Sequence, residues 1–369
     1  MKVLTSLPYY VKLTCILLII VILSYSTIIL ENIFVPMFLG LLVSFLLVPV
    51  CNFFEQRCKI PRAFSAILVI VLFAIVVFSI FIIVGSEFSG LQDDLPAFKK
   101  QLEDSVSLVQ EWIYQKFGVA QSHQLNLLEK GISSSLQTST SIIGGIFSSI
   151  STMVMFVFFS LLYAIFLLIY RRHLVQFLIM SFGEKQKSKV LEIIMQVRMM
   201  VKQYLLGLLL QMACVAVLSL IAFSILGLKY KFVLALITAL LNVVPYIGIF
   251  ISLIIASLIT LATATPSTVL LVLIAYVIIH AIDGNFIMPK IVGSKVKLNS
   301  LTVVIGLVIG EMVWGISGMF LAIPTLAVLK IIFDKIDGLK PWGFLLVRRF
   351  LLKRIKMLRR KIKQMNSSF

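Results

Sequence analysis

Charge is scarce in this 369-residue chain: 13% of its residues are charged, against 60% that are hydrophobic. A soluble globular domain carries roughly 25% charged residues, so that class is excluded and an integral membrane protein remains. Cysteine is scarce too. Cys15, Cys51, Cys58 and Cys214 show neither CxxC nor metal-ligand spacing, which excludes a disulfide framework and a zinc site. They read as buried apolar fillers. There is no HExxH motif, phosphate loop or dinucleotide fingerprint, so no metal, cofactor or catalytic residue is expected and the chain does not read as an enzyme. Acids are few, 15 against 33 Lys and Arg, giving a formal charge of +18. The basic residues flank apolar spans, where they orient a chain and meet anionic lipid, so nucleic acid is not an expected partner. The first apolar stretch lacks an Ala-x-Ala site and runs into a second, so it reads as an uncleaved anchor.

What is present is a series of apolar stretches of spanning length, about 13–30, 33–54, 63–86 and 142–170. The loop around Glu31 and Asn32 has no Lys or Arg, whereas Arg57, Lys59 and Arg62 join the second and third spans and Arg171 and Arg172 follow the fourth. The positive-inside bias places the N-terminus and those basic segments in the cytoplasm. Residues 1–86 thus supply three transmembrane helices. Residues 87–141 are an acidic extracytoplasmic insertion whose Leu91, Leu95, Phe98, Leu102 and Val106 repeat as in an amphipathic helix. It is expected to pack on its own protein or a neighbouring subunit, with a ligand-capturing lid as the alternative. Segment 142–203 adds a fourth span and a helix lying on the inner membrane surface, with Val190, Ile193, Val197 and Met200 on one face.

The later segments hold the breaks. Asn242, Pro245, Tyr246 and Gly248 interrupt an uncharged run from Phe232 to Ala264, and Gly315, Ser317 and Gly318 interrupt the run from Leu298 to Ile332. Backbone groups freed at such breaks must be satisfied by protein or by a polar cavity, and interruptions of this kind often mark a substrate or ion site. If every later segment crosses once, Lys290, Lys295 and Lys297 are stranded outside. If 232–264 and 298–333 are instead re-entrant hairpins, the lysines fall in the cytoplasm. Pro245 then lies roughly 20 Å from Lys231, and Gly315 roughly 26 Å from Leu298, within a hydrocarbon core about 30 Å thick. Segments 204–264 and 265–335 become two span-plus-hairpin units of opposite orientation. The expected fold is all-α and polytopic, with about eight membrane-embedded helical segments, two of them hairpins of an inverted repeat.

Ionisable groups inside a membrane need a reason, which singles out His280, Asp283 and Glu311. His280 and Asp283 stand three apart, just before Gly284, Asn285 and the helix breaker Pro289. They are a candidate protonatable pair or cation site, in which a carboxylate and freed carbonyls replace water around Na⁺ or H⁺; the alternative is that they hold a broken helix end together. Glu311 is a second candidate or a partner for the bend beyond it. Asn242 and Asn285 can satisfy open carbonyls or a polar solute. The run Gly315-Ile316-Ser317-Gly318 also fits a Gly-x-Ser-Gly serine-protease pattern with His280 as base, although His precedes Ser in the chain. The tail 336–369 carries ten Lys or Arg and no acid between Lys340 and Lys363. It reads as a basic amphipathic helix on the anionic cytoplasmic leaflet.

Three ordered motifs carry a family resemblance: Leu241-Asn242-Val243-Val244-Pro245-Tyr246-Ile247-Gly248, Asp283-Gly284-Asn285-Phe286-Ile287-Met288-Pro289-Lys290-Ile291-Val292-Gly293, and Trp314-Gly315-Ile316-Ser317-Gly318-Met319-Phe320-Leu321-Ala322-Ile323-Pro324. The chain resembles the autoinducer-2 exporter family of bacterial permeases over nearly its whole length. The resemblance implies a bacterial inner-membrane exporter of small polar solutes or signals, with Na⁺(Li⁺)/H⁺ antiport as an alternative, and a homo-oligomer with a pentamer as the candidate number. Family members often carry Glu at the position of Asp283, His-Pro at Asn299-Ser300 and Gly at Glu311. A non-transporting membrane scaffold and an intramembrane protease are the distant alternatives.

Overall fold

The computed structural model describes residues 8–80, 82–83, 85–86, 154–244, 247–293 and 298–346. The 87–141 insertion, Pro245, Tyr246, Lys295, Lys297 and the tail beyond residue 346 lie outside the described residues. The described chain is helical throughout, apart from short turns. In order come α1 (Tyr9–Ile29), α2 (Glu31–Arg57), α3 (Arg62–Ile80), α4 (Val154–Phe182), α5 (Lys187–Ile225), α6 (Lys231–Leu241), α7 (Ile247–Thr263), α8 (Pro266–Ile282), a π-helical turn (Asp283–Ile287), α9 (Met288–Ile291), α10 (Ser300–Lys335) and α11 (Lys340–Leu346). Six helical stretches among the described residues are long and apolar enough to cross a membrane. The chain is therefore an all-α, multi-pass membrane protein.

It divides into two compact units. The first comprises residues up to His173 together with Leu205–Val292. Here α2, α3 and α4 share a core of Leu47, Val48, Cys51, Ala66, Val69, Ile70, Ala164 and Leu168. Gly40 lets α2 approach α4, because a Cβ there would stand 2.6 Å from the Ser160 carbonyl oxygen. Near the end of α2, the Glu55 carboxylate accepts on both oxygens from the Arg171 guanidinium of α4. Of the four cysteines only Cys51 is fully buried. Cys15 is exposed on α1, which presents apolar side chains on most of its surface, and Cys58 is exposed at the end of α2. Cys214 on α5 is half-buried, and Cys51 is the one that fills a core.

The rest of this unit is a bundle of α5, α6, α7 and α8 around Val215, Phe223, Leu234, Ala239, Ile249, Ala256, Val272 and Tyr276. α5 stops at Gly227, whose φ of +68° is open to glycine; Leu228 N–H donates to the Phe223 carbonyl and Gly227 N–H to that of Ser224, a Schellman arrangement. α6 and α7 form a hairpin. With 11 residues α6 rises only about 16 Å, half of a hydrocarbon core. At its tip a Cβ on Gly248 would fall 1.7 Å from the Leu241 carbonyl oxygen, so only glycine closes this turn.

The second unit comprises Leu174–Tyr204 and the chain from Gly293 onward. Its main element, α10, is itself bent. Trp314 and Gly315 leave helical geometry, Gly315 with φ +56° and ψ −137°. The arms on either side fold against each other: a Cβ on Gly318 would lie 1.9 Å from the Gly310 carbonyl oxygen, and one on Gly306 would lie 2.3 Å from Leu326 Cδ1. The early turns of α5 are tied to the end of α10 by Glu192–Lys335 and Lys189–Asp337 ion pairs. Sequence composition separates an interfacial helix ending near 203 from a span beginning at 205. The structure runs both as one 39-residue helix, since no Pro or Gly stands between Lys187 and Tyr204 to stop it.

Candidate functional site: a buried aspartate at a helix break

Asp283 begins the π-helical turn at the end of α8 and is 4% exposed. Pro289, six residues on, has no N–H for the carbonyl one turn earlier, and its ring crowds that carbonyl. The widened turn from Asp283 to Ile287 accommodates both effects, with Met288 N–H bonding to the Asp283 carbonyl. Asn285 Nδ2 donates to the Ala281 carbonyl at 2.9 Å, one turn back along the interrupted helix. π-turns inside α-helices frequently occur at functional sites.

Two amides meet the Asp283 carboxylate. Gln211 Nε2 lies 3.0 Å from both Oδ1 and Oδ2, and Asn242 Nδ2 lies 3.0 Å from Oδ2. Both are buried, Gln211 on α5 and Asn242 at the last turn of the first hairpin arm. Gly207, one turn before Gln211, is what lets α5 come close: a Cβ there would stand 3.1 Å from the Ile291 carbonyl oxygen of α9. A second polar group ties the hairpin to α8. Tyr276 Oη lies 2.7 Å from Thr238 Oγ1 on α6 and 3.0 Å from the Ser252 carbonyl oxygen on α7.

The sequence-derived candidates sort as follows. Asp283 and Asn242 are brought together, and Gly248 shapes the hairpin tip beside them. His280 is exposed on α8, three residues before a buried Asp283. A three-residue step turns a helix by about 60° short of a full circle, enough to cross from one face to its edge. Pro289 is exposed. In the other unit, Glu311 is exposed on the first arm of α10, while Gly315, Ser317 and Gly318 form the bend, with Gly318 buried. Gln211 is the residue that sequence reasoning missed. Its signal was an amide inside an apolar run, one turn after a glycine.

Among the described residues no group of three or more His, Cys, Asp or Glu could hold a metal ion. A carboxyl group buried among neutral amide donors is a different proposition. Rotating the Gln211 and Asn242 amides turns their oxygens toward the same point, and a carboxylate with two amide oxygens suits a hard monovalent cation or a proton.

Residues 16–338 match the model of the AI-2E family of transporters. The chain belongs to that family. Among its relatives, the protein named "Putative transport protein YueF" of Bacillus subtilis is 26% identical over 82% of this chain and 84% of its own. The "AI-2 transport protein TqsA" of Escherichia coli K12 is 24% identical over 83% of this chain and 87% of its own. A protein named "Putative transport protein" from Thermotoga maritima is 22% identical over 82% and 88%. A chain of this family, with six candidate spans among its described residues, is a membrane transporter or permease.

Proposed function

We propose that this protein exports a small polar solute or signal across the bacterial inner membrane, and that Asp283, held by Gln211 and Asn242, couples transport to H⁺ or Na⁺. The observation that carries this is the burial of a carboxylate where two helices are interrupted, its side-chain hydrogen bonds among the described residues coming from the amides of Gln211 and Asn242. A buried charge is retained in a membrane protein chiefly where an ion or substrate meets it. The two bent elements support re-entrant hairpins, α6–α7 and the arms of α10, entering from opposite sides by the charge rule. The name of the relative TqsA favours a signalling molecule among candidate solutes. Termini in the cytoplasm, a basic tail on anionic lipid and a homo-oligomer, with a pentamer as the candidate number, complete this reading.

A second reading, Na⁺(Li⁺)/H⁺ antiport, is favoured by the same oxygen set around Asp283, since it serves a cation or a proton but not both at once. The solute reading is tested in a strain lacking the gene. Export predicts intracellular build-up of a metabolite that wild-type protein relieves and Asp283→Asn does not; an unchanged metabolite profile would count against export.

A further inference from the structure

Serine and threonine hydroxyls inside helices commonly turn back to a carbonyl about one turn earlier. Most do so here: Ser160 bonds to the Phe156 carbonyl, Ser252 to that of Ile249 and Thr263 to that of Ile259. Three hydroxyls of α5 and α7 break the habit. Ser219 Oγ, Ser257 Oγ and Thr260 Oγ1 are buried and have no hydrogen-bond partner among the described residues. Ser219 is wholly buried and Thr260 is 1% exposed. Burying an unpaired hydroxyl costs more than burying a methyl group, so three in one bundle call for something that bonds to them.

Their placement points to what that is. Ser219 stands one turn from Val215 and one from Phe223, and Thr260 one turn from Ala256; all three neighbours belong to the core shared by α5–α8. The same bundle holds the Tyr276, Thr238 and Ser252 contacts and, beyond them, Asn242, Gln211 and Asp283. Along α5, Ser219 follows Gln211 by about 12 Å; along α8, Tyr276 precedes Asp283 by about 10 Å. Thr260 lies near the base of the hairpin, one turn from the end of α7. Polar groups therefore recur through this core from the hairpin base to the aspartate. Buried water bonds two to four such groups and is retained where polar partners are available.

We propose that the interior of α5–α8 holds a file of water, lined by Ser219, Thr238, Ser257, Thr260 and Tyr276, that leads from the base of the first hairpin to Asp283. It gives protons or a small cation a route inside one bundle. This deepens the placement of the coupling site at Asp283 and rests on it for its purpose, but water access can be measured without any transport.

The test places Ser219→Cys, Ser257→Cys and Thr260→Cys singly in full-length protein whose four native cysteines have been replaced. Each is reconstituted in liposomes and treated with Ag⁺ or a small methanethiosulfonate, and the remaining thiol is counted with a maleimide after denaturation. A water file predicts that at least two of the three react on the order of tenfold faster than the equally buried Val215→Cys and Val272→Cys, because a thiol reacts through its hydrated thiolate. The two helices report separately, so a variant that fails to fold leaves the others to decide. Labelling at fewer than two positions, or equal labelling at Val215 and Val272, would overturn the file. If labelling succeeds while Asp283→Asn leaves function intact, the water path stands and the coupling role fails.

Discussion

Gln211 and Asp283, 72 positions apart, meet through one amide nitrogen that lies 3.0 Å from each carboxylate oxygen. The contact joins α5 to the interrupted end of α8 and defines the site. Removing the donor leaves a buried carboxylate under-bonded. Gln211→Leu is expected to cost about 1–3 kcal/mol of stability. In a double-mutant cycle, Gln211→Leu with Asp283→Leu should cost less than the sum of the two single changes. Thermal unfolding in detergent reads this directly; strict additivity would mean the bond contributes nothing.

Tyr276 clamps both arms of the first hairpin, through Thr238 on one and the Ser252 carbonyl on the other. Tyr276→Phe keeps the ring against Phe223 and removes only the hydroxyl. The expected loss is about 1–2 kcal/mol, with faster hydrogen exchange in residues 247–263 than in α2. If exchange in α7 does not change, the hydroxyl is not what holds the hairpin.

Gly248 and Gly318 close their bends by contact with backbone, at 1.7 Å from the Leu241 oxygen and 1.9 Å from the Gly310 oxygen for an added Cβ. Backbone cannot step aside as a flexible side chain can. Gly248→Ala and Gly318→Ala should each cost about 1–3 kcal/mol or more and lower the yield of monodisperse protein. Gly284→Ala, with nothing within 4 Å of its Cβ, should be tolerated sterically. Equal yields for all three would show that the bends are not so tight.

Much of this was legible in the sequence, and the reasons are specific. Helix breakers in long apolar runs marked both bends, because Pro, Gly and Asn at spanning depth have no cheap explanation. Asp283 stood out by the cost of its charge. Gln211 did not, since an amide carries no charge and the apolar run around it shows no period that distinguishes the buried side. The long α5 was divided where its composition changed, yet composition does not end a helix without a breaker. The pairing of His280 with Asp283 followed helical spacing; the structure gives the two residues different surroundings, one exposed and one buried.

Asp337 offers a pH test outside the membrane spans. A hydrogen bond from Lys340, then the charges of Lys340 and Lys189, hold its carboxyl below the ordinary carboxylate value. A depressed folded-state value means that the stability is present above the unfolded value and is lost as pH falls through the folded one. The group is fully exposed, so the effect is small and screened by salt. Below about pH 4 the junction of α10 and the start of α5 should loosen, seen as proteolysis near residues 337–340. Asp337→Asn should show that loosening already at neutral pH; identical cleavage of both proteins at every pH would remove the ion pairs from the explanation.

The most direct measurement is ion-coupled flux in proteoliposomes holding a pH-sensitive dye, with a Na⁺ or Li⁺ gradient imposed on wild-type protein and on Asp283→Asn. Coupling at Asp283 predicts a change in internal pH with the wild type that is lost in the variant while the variant still folds and reconstitutes. An equal change with both proteins, or none with the wild type, would contradict it.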